Sequence, residues 1–174
     1  MIETDILLDI ANEHGIEVRY ESLFCSQRKL YGYAWPSRKL IVLEVGIMGT
    51  RQEKCVLAEE VGHCLYPPIG DHELYHSEKY YTIDPLQRAG CRSQVAKDER
   101  VALRWATDFL ISDSTFFAYF DTGPHELWEW CDHFEVEPWF MALKIGYMLQ
   151  AGGRPGGRPF RRRDAVRPGI KKKS

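Results

Sequence analysis

Three common signals are missing from this 174-residue chain. Its five cysteines are an odd number and form no C-x-x-C pair, so we expect reduced thiols rather than a zinc knuckle. No apolar run approaches the roughly 20 residues that a membrane-spanning helix needs. The first residues, Met1 to Asp5, are acidic and lack the pattern of a signal peptide. These absences predict a cytoplasmic protein that makes no use of a membrane.

The chain does contain two segments of contrasting charge. Residues 1–150 carry a net charge of −10, whereas residues 151–174 carry +8. The second segment repeats Gly-Gly-Arg-Pro and ends in three lysines. Glycine, proline and like charges cannot bury enough apolar area to offset the entropy of ordering, so we predict a disordered basic tail over 151–174. Contact of this tail with nucleic acid would be nonspecific.

The central feature is the stretch Cys55–Leu65, which contains the string Glu59-Glu60-Val61-Gly62-His63. Thr50 and Glu53 form a capping-box pattern before it, and Pro67-Pro68 ends it, so the stretch is predicted to be a helix. Glu59 and His63 are four residues apart and share one helix face, which Glu60 flanks. The zinc-protease helix has histidines at i and i+4 and a glutamate after the first, so Glu59 stands in the place of the first histidine. The alternative is a solvated helix edge with ordinary surface side chains.

Hydrophobic patterning predicts a small antiparallel sheet before this helix. A helix from Thr4 to His14 precedes a strand at 16–20, an aromatic-rich segment at 30–35 and a buried strand at 40–43. Residues 67–92 are expected to be irregular. His72 and His76 are candidates for contact with a substrate, against the alternative of histidines on a surface loop. Together with Tyr80 and Tyr81 they are also the candidates for stabilising a transition state.

A second strong helix is predicted over 93–111, where Glu99 shares the side that faces the core. A buried carboxylate needs a compensating charge, which either a metal ion or an arginine could supply; Arg51, Arg92 and Arg104 are the arginines considered. Helices capped by Asp113 and started by Pro124 and Pro138 follow. The predicted organisation is a core at 1–112, a helical subdomain at 113–150 packed on it, and the tail.

Taken together, these motifs resemble the ImmA/IrrE-type metallopeptidases over about residues 5–150. The resemblance rests on Leu30-Tyr31-Gly32, Leu40-Ile41-Val42, Val56 to His63, Glu99 to Ala106 and Glu126 to Val136. It implies an α+β, zincin-like fold in which His63 and Glu99 are metal ligands and Glu60 is the general base. Glu59 would be the third ligand, because zinc accepts carboxylate oxygen. The expected ion is zinc, and the extra oxygen donor moves the preference toward manganese or iron.

The resemblance implies a metallo-endopeptidase that cleaves an intracellular protein. The expected substrate is a helix–turn–helix repressor of a mobile genetic element. Two alternatives remain open at this stage. The first is a non-catalytic interaction module that binds such a repressor, and the second is a DNA-associated regulator that acts through the basic tail.

Overall fold

A computed structural model describes residues 2–24, 29–67, 74–77 and 94–151 of the chain. The side chains of residue 2 and of residues 74–77 and 94–99 lie outside that description. The predicted tail from residue 152 onward, together with His72, Tyr80 and Tyr81, also lies outside the described residues.

The described residues form an α+β structure, as predicted, with six helices and four strands. In chain order these are α1 (Ile2–Glu13), β1 (Glu17–Glu21), β2 (Leu30–Trp35), β3 (Leu40–Glu44), α2 (Arg51–Leu65), β4 (Leu74–Ser77), α3 (Gln94–Leu110), α4 (Asp113–Phe120), α5 (Leu127–Phe134) and α6 (Pro138–Gln150). None of the helices in the described ranges is long and apolar enough to cross a membrane.

The sheet is mixed, so the prediction of an antiparallel sheet is wrong for one of its pairs. The strand order is β1-β3-β2-β4, and β1 runs parallel to β3, with Val18 opposite Ile41. Strand β2 is antiparallel to both β3 and β4. The apolar run of β3 is buried and needs a partner on each edge, which places it between β1 and β2. The eight-residue connection from β1 to β2 is too short for a crossover, so β2 runs opposite to β1; the hairpin then reverses the chain again, which makes β3 parallel to β1.

Part of the segment predicted to be irregular also differs from expectation. Residues Leu74–Ser77 form β4, an edge strand that pairs with β2. The backbone of His76 lies opposite Gly32 in this register, and the side chain of His76 is outside the described part of the structure.

Two of the predicted helix starts are wrong by a few residues. Ser112, rather than Asp113, caps α4, because its hydroxyl accepts a hydrogen bond from the Thr115 N–H at 3.2 Å. Helix α5 starts at Leu127 rather than at Pro124, and the Glu129 carboxylate accepts the backbone N–H of Glu126 at 2.6 Å. Pro138 occupies the first turn of α6, as predicted.

One main hydrophobic core runs through the molecule. Its buried members come from α1, the sheet, α2 and all later helices, and include Leu7, Ile41, Leu57, Trp130 and Phe140. Residues from 1–112 and from 113–150 therefore pack into the same core. This arrangement places α2 in the interior, against α1, the sheet and α3.

A charged cluster joins the later helices. The Lys144 ammonium on α6 is fully buried and donates to Asp108 on α3 and to Asp113 on α4, both at 2.6 Å. Arg104 also donates to Asp108, at 2.8 Å. The three helices are thus connected through one buried cation.

Candidate metal centre

Helix α2 is fixed at its start by two local interactions. The Thr50 hydroxyl accepts the Glu53 N–H at 3.3 Å, as a capping residue should. The Glu53 carboxylate accepts the Gly49 N–H and the Tyr20 hydroxyl, each at 2.6 Å. The capping-box prediction therefore holds for Thr50, whereas Glu53 reaches past it to Gly49. The contact with Tyr20 ties the start of α2 to β1.

The three candidate residues on α2 are completely buried. Glu59, Glu60 and His63 are each 0% exposed, and every residue from Glu53 to His63 is buried. The alternative of a solvated helix edge is therefore wrong. Two carboxylates and an imidazole within five successive residues lie in the interior, where an uncompensated charge is costly.

Helix α3 approaches α2 closely beside this group. A Cβ atom placed on Gly62 would lie 2.7 Å from the carbonyl oxygen of Ala102, which is closer than real Cβ contacts. The glycine thus allows the two backbones to meet one residue before His63. Glu99 stands on α3 three residues before Ala102, about one turn away. Its side chain is outside the described part, so convergence of Glu99 with Glu59 and His63 stays a prediction.

Two of the three arginines considered as partners of Glu99 bind elsewhere. Arg51 donates to Asp132 at 2.7 Å, and Arg104 donates to Asp108. Arg92 is outside the described residues. The choice between a metal ion and an arginine as the partner of Glu99 therefore stays open.

The electrostatic environment favours a neutral imidazole at His63. Burial lowers the pKa of His63 to about 4, so the ring is uncharged near neutral pH, which is the form that binds metals. Burial and then the charge of Glu60 raise the pKa of the adjacent Cys64 thiol to about 12. A metal-binding cysteine must be deprotonated, and adjacent side chains on a helix point apart, so Cys64 is a poor partner for His63 at a metal ion.

A buried lysine on the same helix, Lys54, contacts α1 and α5. Lys54 is buried, and its ammonium lies 3.7 Å from Glu3 and 3.5 Å from the carbonyl oxygen of Phe134, where it caps the end of α5. We expect Lys54 to stabilise the packing of α1, α2 and α5 rather than to neutralise the glutamates.

The donor types on α2 fit a divalent cation. Carboxylate oxygen and neutral imidazole nitrogen are both ligands of zinc, manganese and iron. Within the described side chains, no group of three or more His, Cys, Asp or Glu is arranged to hold an ion. A set of three ligands therefore requires a further side chain, beyond those that are described. This is the role predicted for Glu99.

The depth of burial of α2 is the feature that sequence reasoning missed. Leu57 and Val61 predicted one buried face, whereas all sides of the helix are covered between Glu53 and His63. The available signal was Gly62, because a glycine inside a helix is unfavourable unless another backbone approaches closely.

Comparison of the chain with protein-family models, with curated proteins and with solved structures finds no match.

Proposed function

We propose that this protein is a metal-dependent endopeptidase whose centre is built on α2 and α3. The observation that supports the proposal is the complete burial of Glu59, Glu60 and His63 on a helix held against α3 beside Gly62. Acidic and imidazole side chains are rarely buried together without a function for them. A divalent cation would offset the charge of the two carboxylates.

In this proposal His63, Glu59 and Glu99 hold the ion, and Glu60 is the base. A bound ion would polarise the peptide carbonyl and acidify a water molecule. The Glu60 carboxylate would accept a proton from the attacking water and return it to the nitrogen of the leaving amine. Net consumption of one water then breaks one peptide bond. Zinc is the expected ion, and the carboxylate-rich set gives manganese and iron a larger share than two histidines would.

The proposed substrate is an intracellular helix–turn–helix repressor. The choice of substrate rests on the resemblance to the ImmA/IrrE-type metallopeptidases. That resemblance includes the motif at residues 56–63 followed along the chain by the motif at residues 99–106. The proposed centre on α2 is buried, so only an extended segment of a substrate could enter it. Cleavage is therefore expected in a loop or linker of the repressor.

Metal binding can be tested without an activity assay. The wild type is expected to bind one divalent ion, and an ion that binds only the folded state raises the thermal midpoint. Glu59→Gln removes one proposed ligand, so it should abolish the increase that metal causes over the midpoint of the metal-free protein. Glu13→Gln changes an exposed glutamate on α1 and should leave both values unaltered. Elemental analysis of the same samples gives the stoichiometry.

Cleavage is then followed by mass spectrometry of helix–turn–helix repressors incubated with the protein. Specific fragments that require both metal and Glu60 would support the proposal. Metal binding without cleavage of the repressor would favour the non-catalytic interaction module. Wild-type protein that binds none of zinc, manganese or iron would overturn the metal centre itself.

A further inference from the structure

The surface of α5 presents a large apolar side chain to solvent. Trp128 is 64% exposed, the most exposed of the large hydrophobic residues in the described part of the chain. Asp132 lies one turn further on the same face, and Glu135 follows at the end of the helix, both exposed. We call these three residues the Trp128 surface. A solvent-facing tryptophan with carboxylates beside it is suited to a cationic partner.

The charge around this surface is of one sign. Residues 124–137 contain five acidic residues and no lysine or arginine. Asp132 accepts a hydrogen bond from Arg51 at 2.7 Å, which compensates one of the five. The remaining negative charge attracts cations, and the exposed indole face favours a planar guanidinium over an ammonium, because arginine stacks on aromatic rings.

The chain itself carries a partner of this chemistry. Residues 152–163 contain Arg154, Arg158 and the run Arg161-Arg162-Arg163, with no acidic residue among them. This segment starts directly after α6, which packs against α5. We propose that the arginine segment 152–163 docks on the Trp128 surface of its own chain, with a guanidinium stacked on the Trp128 indole.

The length of the segment permits the contact. The nine residues 152–160 span at most about 30 Å. Helix α6 is about 20 Å long, and the six steps from Trp128 to Phe134 correspond to about 9 Å, at 1.5 Å per residue. Because α5 packs against α6 rather than extending it, Trp128 is within reach of the segment.

Tethering also lowers the affinity that the contact requires. Two groups joined by a short stretch of one chain meet at an effective concentration in the millimolar range. One stacked guanidinium with a few surface ion pairs is a weak interaction between separate molecules, but it can be substantially populated within one. The electrostatic part should weaken as salt shortens the Debye length, from about 30 Å at 0.01 M to about 3 Å at 1 M.

The test uses the full-length, ¹⁵N-labelled protein and the indole N–H signal of Trp128, which Trp128→Phe identifies. Changing Arg154, Arg158 and Arg161–163 to glutamine together should displace this signal, and 1 M salt should displace the wild-type signal in the same direction. The matched control replaces Lys171–173 by glutamine and should leave the signal in place. An equal displacement by the lysine changes would assign the effect to charge alone and overturn the arginine contact.

The other side of the contact is tested by substitution of Trp128 itself. Trp128→Ala should move the backbone signals of the tail arginines to their high-salt positions, whereas Val101→Ala, which removes another exposed side chain on α3, should not. A Trp128 signal that depends on protein concentration would place the tail on a second copy and overturn the intrachain contact. A signal unchanged by the arginine substitutions, in a protein whose tail retains duplex DNA, would assign the arginines to nucleic acid instead.

Discussion

Gly62 on α2 and Ala102 on α3 lie so close that a methyl group on the glycine would be 2.7 Å from the alanine carbonyl oxygen. The contact lies one residue from His63 on one helix and three residues from Glu99 on the other. It therefore sets the separation between the two halves of the proposed metal centre.

Gly62→Ala should destabilise the fold, because backbone atoms rather than a flexible side chain must give way. Overpacking of this kind costs about 1–3 kcal/mol. Gly146 on α6 offers a matched control, since a Cβ there would meet nothing within 4 Å. Gly146→Ala should stabilise the protein by about 0.5–1 kcal/mol, because alanine is the better helix former. Urea unfolding of both variants checks the two signs; equal effects would show that the helices can separate freely at Gly62.

Glu60→Gln should abolish cleavage and leave metal binding intact. Glutamine keeps the shape of the side chain but cannot accept a proton, so the rate of cleavage is expected to fall by about 10²–10⁴-fold. Elemental analysis and the cleavage assay are carried out on the same sample. Wild-type rates in this variant would remove Glu60 from the role of base.

Glu59→His tests the other glutamate, and here cleavage is expected to be kept or increased rather than lost. Histidine would restore the ordinary zinc-protease pattern with His63 and remove one negative charge from the surroundings of the ion. We expect zinc to bind at least as tightly and cleavage to be kept or increased. Competition between zinc and manganese for the two proteins measures the change. Unchanged affinities for zinc and manganese in this variant would show that residue 59 is not a ligand.

In the Lys144 cluster, removing the positive charge should cost less stability than removing the two negative charges. Lys144 is fully buried, whereas the side chains of Asp108 and Asp113 are 40% and 54% exposed. Lys144→Met leaves carboxylates that water can solvate, so its cost should stay within about 1 kcal/mol. The double change Asp108→Asn and Asp113→Asn leaves a buried ammonium and should cost on the order of 3 kcal/mol. Denaturant unfolding measures the free energy of both variants. A larger loss for Lys144→Met than for the double variant would contradict the explanation.

Glu44 should give a pH-dependent contribution to stability. Burial raises the pKa of Glu44, but hydrogen bonds from the N–H groups of Gly46, Leu23 and Phe24 outweigh it and hold the pKa below 4.5. A lowered pKa in the folded state means that the stabilisation is complete above pH 4.5 and is lost as the pH falls through the folded-state value. Glu44→Gln should therefore cost about 1.5–3 kcal/mol at pH 7. The difference from wild type should shrink at pH 3; a constant difference would mean that the charge of Glu44 is not what stabilises the turn.

Local signals predicted most of the fold; apart from the starts of α4 and α5, the errors came from non-local pairing. Proline at 138 and the hydroxyl of Thr50 act within one turn, so their helix starts were readable from sequence. The partner of β1 depends on residues more than 20 positions away, and no local pattern distinguishes β2 from β3 as that partner.

The same division applies to the candidate site. The spacing of Glu59 and His63 could be read from the sequence, because helical geometry alone places them on one face. Their complete burial could not, since it depends on the sheet and α3 covering α2 from both sides. Gly62 was the one residue whose type hinted at that contact.

The parallel pairing of β1 with β3 also constrains the order in which the sheet can assemble. Strands β2 and β3 are joined by a four-residue connection and can pair early, since short loops close within about 10–100 ns. Strand β1 docks on the outer edge of β3, so its register of Glu17 to Glu21 has no template until the hairpin exists. We expect pulse-labelled hydrogen exchange during refolding to protect the amides between β2 and β3 before those between β1 and β3. Tyr20 bonds to Glu53, so the arrival of β1 would also secure the first turn of α2.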